Sequence, residues 1–136
     1  MEIGKLNQDE TSGRSVRHGI LRTFAFAFSG LWHLLRTQRN ARIEIAIGLG
    51  AGALGAWLRV SRVEWAVLAT TMALVLILEG LNTAIESAVD LAMPRQHPLA
   101  KACKDLAAGM VLVAAIVAVT VGLLILGPPL WQRLVK

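Results

Sequence analysis

The stretch WAVLATTMALVLILEGLNTAIESAVD, residues 65–90, decides the fold. From Trp65 to Leu78 it carries no charge, and only Thr70 and Thr71 interrupt its apolar character. Polar residues then enter with a helical period. Glu79, Asn82, Glu86 and Asp90 stand at i, i+3, i+7 and i+11. At about 100° per residue they fall within an arc of roughly 80° on one helix face. Thr83 borders that face. The expectation is one continuous helix that crosses a membrane and carries a carboxylate stripe along half its length. Each carboxylate near mid-bilayer costs roughly 2.5–3.5 kcal/mol on insertion scales, so the stripe requires a function or a partner. Glu79 is the deepest acid, directly after the apolar run, and Asp90 belongs near the interface. A carboxyl at the depth of Glu79 is suited to exchange a proton with an arriving substrate.

Working outward, two more apolar blocks have near or above the roughly 20 residues a spanning helix needs. The expected spans are 41–58, 65–91 and 101–126, in a single membrane domain covering 1–136. The first contains Gly48, Gly50, Gly52 and Gly55, small residues that let helices approach closely. Met93-Pro94 and His97-Pro98 mark the break before the third span, and Gly127-Pro128-Pro129 is expected to end it, with Trp131 at the interface. Residues 1–13 read as a disordered tail. Over 14–38, Ile20, Phe24, Phe28, Leu31 and Leu35 form an apolar stripe. Arg17, His18, Arg22, His33 and Arg36 surround it, as in an amphipathic helix lying in the membrane interface. The fold class is therefore all-α: three transmembrane helices plus an N-terminal surface helix. Three spans have few ways to cover their polar groups, so oligomerisation is expected.

The 136 residues are 55% hydrophobic, more than a soluble domain of this size would carry. The net charge of +5 does not point to nucleic acid, because no aromatic-and-basic platform or zinc spacing accompanies the arginines. Basic residues beside spans set orientation instead. The N-terminal segment holds seven Lys and Arg and the second loop three; the first loop and the C-terminus hold two each. This distribution places the N-terminus and second loop in the cytoplasm. The polar N-terminal segment carries no cleavable signal peptide. The single Cys103 forms no internal disulfide and reads as a small buried filler.

Lys101, Lys104 and Asp105 open the third span at i, i+3 and i+4. The short Pro94–Pro98 loop brings them towards the cytoplasmic end of the stripe. Acids and a lysine at a membrane surface suit Mg²⁺ and phosphate, the parts that phosphoryl transfer needs beside a group to activate the attacking hydroxyl. Spacing alone leaves three readings: catalysis, a proton or ion pathway, and structural pairing. A small proton-coupled transporter would use the same buried acids, giving a pH-dependent flux with no ATP consumption.

The residues Leu78 to Asp90 resemble the signature of the small bacterial membrane kinases, diacylglycerol kinase and undecaprenol kinase. The family pattern E-x-x-N-[ST]-A-I-E-x-x-x-D is matched throughout. Similarity continues through His97-Pro98-Leu99-Ala100-Lys101 and Lys104-Asp105-Leu106-Ala107-Ala108-Gly109, and upstream through Arg36 to Ile43. The resemblance implies a homotrimer that transfers the γ-phosphate of ATP, with Mg²⁺, to the hydroxyl of a membrane lipid at the bacterial cytoplasmic membrane. By the same resemblance Glu79 is the general base and Glu86 a metal-binding carboxylate. Asn82, Lys104 and Asp105 orient substrate and nucleotide phosphates, Asp90 lies near the nucleotide, and Arg39 joins this binding set. Gln38 departs from the pattern: many relatives carry a metal-binding acid there, and Gln38 keeps the oxygen but loses the charge. Glu44, six residues on, is about 120° away around a helix and cannot simply replace it. The loop wording is closer to undecaprenol kinases, so undecaprenol is the expected lipid over diacylglycerol.

Overall fold

The computed structural model describes residues 8–135 and contains four helices among them. Helix α1 (Gln8–Thr37) is a unit by itself. It starts before the expected position 14, and residues 1–7 of the expected tail lie outside the described residues. Its stripe of Ile20, Phe24, Phe28 and Leu31 is exposed, and Arg36 stacks over the Trp32 ring at 5.6 Å.

The second unit holds α2 (Arg39–Leu58), α3 (Arg62–Ala92) and α4 (Pro98–Leu134). All three are long and apolar enough to cross a membrane. Most of their large side chains, among them Leu74, Ile77, Leu112, Ile116 and Leu123, are exposed. That is stable when the surroundings are lipid or other apolar helices, not water. The buried centre is small: Leu58, Leu68 and Leu126, one from each helix, with Leu54, Val121 and Leu130 packed against them. Gly48 and Gly55 of α2 face neighbouring side chains at contact distance. A Cβ on Gly48 would meet Met72 Sδ at 3.4 Å, and one on Gly55 would meet Val60 at 3.4 Å.

Local chemistry sets the connections. Arg59, at φ 58° and ψ 45°, ends α2 in the left-handed conformation. Val60 N–H donates to Gly55 O and Arg59 N–H to Ala56 O, the bond pair of a Schellman close. Ser61 then caps α3. Its hydroxyl accepts from Glu64 N–H at 3.3 Å, and its own N–H donates to Glu64 Oε2 at 2.6 Å. At the other end of the bundle His97 Nδ1 accepts from Leu99 N–H, and Pro98 occupies the first helical position. Both loops are short, so adjacent helices run antiparallel. The start of α2, the end of α3 and the start of α4 therefore share one end of the bundle.

Two expectations are corrected. Gly127-Pro128-Pro129 does not end α4, which runs on to Leu134. Each proline deprives a carbonyl of its donor and costs about 3 kcal/mol in a helix interior. Beyond them, however, Leu130 packs on the Leu58–Leu68–Leu126 centre, and Arg133 sits 4.9 Å from the Trp57 ring. Cys103 is exposed rather than buried. Its neighbour Lys104 faces α3, and one residue is a turn of about 100° around the helix.

Candidate functional site

The polar half of α3 is the scaffold. Glu79 is 2% exposed, the one ionisable group in the buried interior among the described residues. Asn82 and Glu86 are half-buried, and Asn82 Nδ2 donates to Glu86 Oε1 at 3.3 Å. Thr83 and Ser87 turn their hydroxyls back onto the helix, donating to Glu79 O and Thr83 O. That leaves the side chains at 79, 82 and 86 as the polar groups this face of α3 presents to its neighbours.

Helix α2 supplies the facing wall. Asn40 and, one turn further on, Glu44 stand beside Glu79. Asn40 has no place in the sequence expectation, and Glu44 is expected there only not to stand in for position 38. The legible signal was their i, i+4 spacing, which puts both on one helix face. Glu44 Oε2 and Asn82 Oδ1 are buried without a hydrogen-bond partner among the described residues.

A second group lies towards the α3–α4 loop. Lys104 Nζ reaches Asp90 Oδ1 at 2.5 Å across the two helices, while Lys101 pairs with Asp105 along α4. All four line a cavity of about 710 Å³, together with Arg95 and His97, which the sequence reading left without a role. Asp90 and Glu79 are separated by about 16 Å of helix rise, with Glu86 between them. A ligand that engages both groups must be extended along α3.

Gln38 is the single extended residue before α2, at φ −97° and ψ 115°. Its side chain makes no capping bond, so its amide is free for other use. Arg39 is exposed and forms no ion pair among the described residues. Glu79, Asn82 and Glu86 are thus brought together, as are Asp90, Lys104 and Asp105, while Gln38 and Arg39 stand outside both groups.

Among the described residues no three acidic, histidine or cysteine side chains converge into a closed metal cage. Mg²⁺ does not require one: it is bound through one or two carboxylates, waters and substrate phosphates. The all-oxygen donors of Glu86 and Asn82, with the unpartnered Asn82 Oδ1, fit that pattern.

Known proteins are similar to this chain in sequence. Residues 25–126 match the family model for prokaryotic diacylglycerol kinase. A diacylglycerol kinase of Synechocystis is 46% identical over 88% of this chain and 69% of its own length. An undecaprenol kinase of Bacillus subtilis is 38% identical over 90% of this chain and 99% of its own length. The diacylglycerol kinase of Escherichia coli K12 is 33% identical over 74% of this chain and 82% of its own. With the buried Glu79 set among three membrane-length helices and a family match over residues 25–126 that reaches all three, the chain belongs to the prokaryotic diacylglycerol kinase family.

Proposed function

We propose that this protein is an ATP-dependent lipid kinase that transfers the γ-phosphate of ATP to the hydroxyl of a membrane lipid, undecaprenol in preference to diacylglycerol. The carrying observation is Glu79, 2% exposed within an apolar span and joined along one helix face to a lysine-bearing cavity at the bundle end. A membrane lipid brings its hydroxyl from the bilayer, and a nucleotide comes from water. Only a site with one deep end and one wet end serves both.

Glu79 takes the hydroxyl proton. The lipid oxygen attacks the γ-phosphorus, a new P–O bond forms, and the bond to the β-phosphate bridging oxygen breaks to release ADP. Asn82 orients the acceptor and holds Glu86 in place through its amide. Glu86 is the carboxylate that would hold Mg²⁺, and Gln38, just before α2, would supply a neutral oxygen ligand. The magnesium ion, when bound, neutralises charge on the phosphate oxygens. Lys104 exchanges Asp90 for a nucleotide phosphate, and Asp105 and Arg39 complete the nucleotide contacts.

The unit is a homotrimer in the bacterial cytoplasmic membrane, with the N-terminus and the α3–α4 loop in the cytoplasm. Exposed apolar faces on all three spans support assembly, and the lysine and arginine distribution supports the orientation. The stretch His97-Pro98-Leu99-Ala100-Lys101 supports undecaprenol. The test is transfer of labelled γ-phosphate by the purified protein in detergent micelles to undecaprenol and to diacylglycerol, with Glu79→Gln as the blank. Transfer mainly to diacylglycerol would overturn the lipid choice, and transfer to neither would overturn the activity.

A further inference from the structure

The end of the bundle opposite Asp90 and Lys104 gathers three arginines. Arg59 ends α2, Arg62 is the first residue of α3, and Arg133 lies in the last turn of α4, 4.9 Å from the ring of Trp57. All three are exposed, and none forms an ion pair among the described residues. The sequence around this end, residues 54–66 and 126–136, holds one acidic side chain, Glu64. Its Oε2 is already engaged by Ser61 N–H at 2.6 Å. This end therefore carries an excess of positive charge that nearby side chains do not neutralise.

Helix chemistry accounts for little of this placement. A cation near the C-terminal end suits α2 and α4, but each position has a cost. Arg59 takes the left-handed conformation, which glycine or asparagine adopts more readily. Arg62 stands in the first turn of α3, where the dipole favours an acid over a base. Arg133 reaches Trp57 only because α4 continues through Pro128 and Pro129, against the helix-breaking tendency of both. On the orientation proposed above, all three also oppose the charge bias that sets topology.

The surroundings identify the ligand. Trp57 of α2 and Trp131 of α4 are 53% and 70% exposed, and indole rings at the ends of spanning helices lie at the headgroup level of a bilayer. Leu134 and Val135 extend the exposed apolar surface. A guanidinium stacked on an indole keeps its N–H edge free, and that fork matches two phosphate oxygens. An anionic phospholipid supplies both parts: a phosphate for the arginines and acyl chains for the apolar side chains. A zwitterionic lipid brings a cation beside its phosphate and leaves the excess charge unanswered.

We infer that Arg59, Arg62 and Arg133 hold the headgroup phosphate of an anionic phospholipid at this end of the bundle. The seat uses no part of the acid stripe of α3, and its occupancy is measured without phosphate transfer.

The test titrates the whole chain in nonionic detergent micelles with phosphatidylglycerol and, in parallel, phosphatidylcholine, reading the thermal denaturation midpoint. Phosphatidylglycerol should raise the midpoint, phosphatidylcholine should not, and added salt should weaken the effect. Arg62→Gln and Arg133→Gln should each raise the half-maximal phosphatidylglycerol concentration about fivefold. Arg59→Gly should do the same while raising the lipid-free midpoint, so its weaker response cannot come from misfolding. Arg95→Gln, at the other end of the bundle, is the control and should respond as the unsubstituted protein does. An equal response to both lipids, an unchanged response in all three variants, or an equal loss in Arg95→Gln would overturn the seat. Glycerol phosphate raising the midpoint as much as phosphatidylglycerol would overturn the lipid as the source of the phosphate.

Discussion

Lys104 of α4 is joined to Asp90 of α3 across the helix pair, Nζ to Oδ1 at 2.5 Å. The two side chains are 34% and 66% exposed, so the pair contributes at most about 1 kcal/mol to stability. A bond that weak keeps a lysine in position yet yields it to a phosphate group, which offers more charge and more acceptors. Lys104→Ala is therefore expected to raise KM for ATP strongly while the denaturation midpoint in detergent hardly moves. A large loss of stability with KM unchanged would make the pair structural.

Glu79→Gln should abolish phosphate transfer while leaving the helical content intact. The substitution keeps shape and hydrogen bonding and removes only the capacity to take a proton. Circular dichroism and labelled-phosphate transfer on the same preparation check both halves. Full activity would remove Glu79 from the mechanism.

Gln38→Glu restores a charge at the extended residue before α2. The expected outcome is a lower Mg²⁺ concentration for half-maximal activity, and tighter Mn²⁺ binding seen by electron paramagnetic resonance without nucleotide turnover. No change in either would place Gln38 away from the metal.

Ser61→Ala removes the hydroxyl that accepts from Glu64 N–H and should cost about 1 kcal/mol. Arg59→Gly acts in the opposite direction. A non-glycine residue in the left-handed region costs roughly 1–2 kcal/mol, only partly offset by the greater freedom of glycine in the unfolded chain, so a net gain of up to about 1 kcal/mol is expected. Denaturation midpoints of the two variants, measured side by side in one detergent, should move apart. Movement in the same direction would contradict the account of this loop.

The helical class and the three spans were legible because both signals are local. An apolar run of bilayer length and polar residues at i, i+3 and i+7 fix a helix and one of its faces, whatever lies opposite. The stripe from Glu79 to Asp90 was readable on that basis, and so was the approach of Lys104 to its Asp90 end. The course of α4 beyond Pro128 and Pro129 was not, since the packing of Leu130 and the stacking of Arg133 on Trp57 are contacts between helices. The exposure of Cys103 was likewise hidden, because composition does not say which side of α4 turns to α3.

By itself, then, the sequence determined that three apolar segments are helices and which face of α3 carries the acids. These follow from propensity, periodicity and the cost of a charge in hydrocarbon. Only the tertiary structure decided what stands opposite that face: Asn40 and Glu44 beside Glu79, and Asp90 rather than Asp105 as the partner of Lys104. The physical reason is that the rotation of one helix against another is set by how their side chains pack, as where Met72 and Trp65 of α3 lie against Gly48 and Gly55 of α2. That contact is a property of two surfaces and is written in neither helix alone.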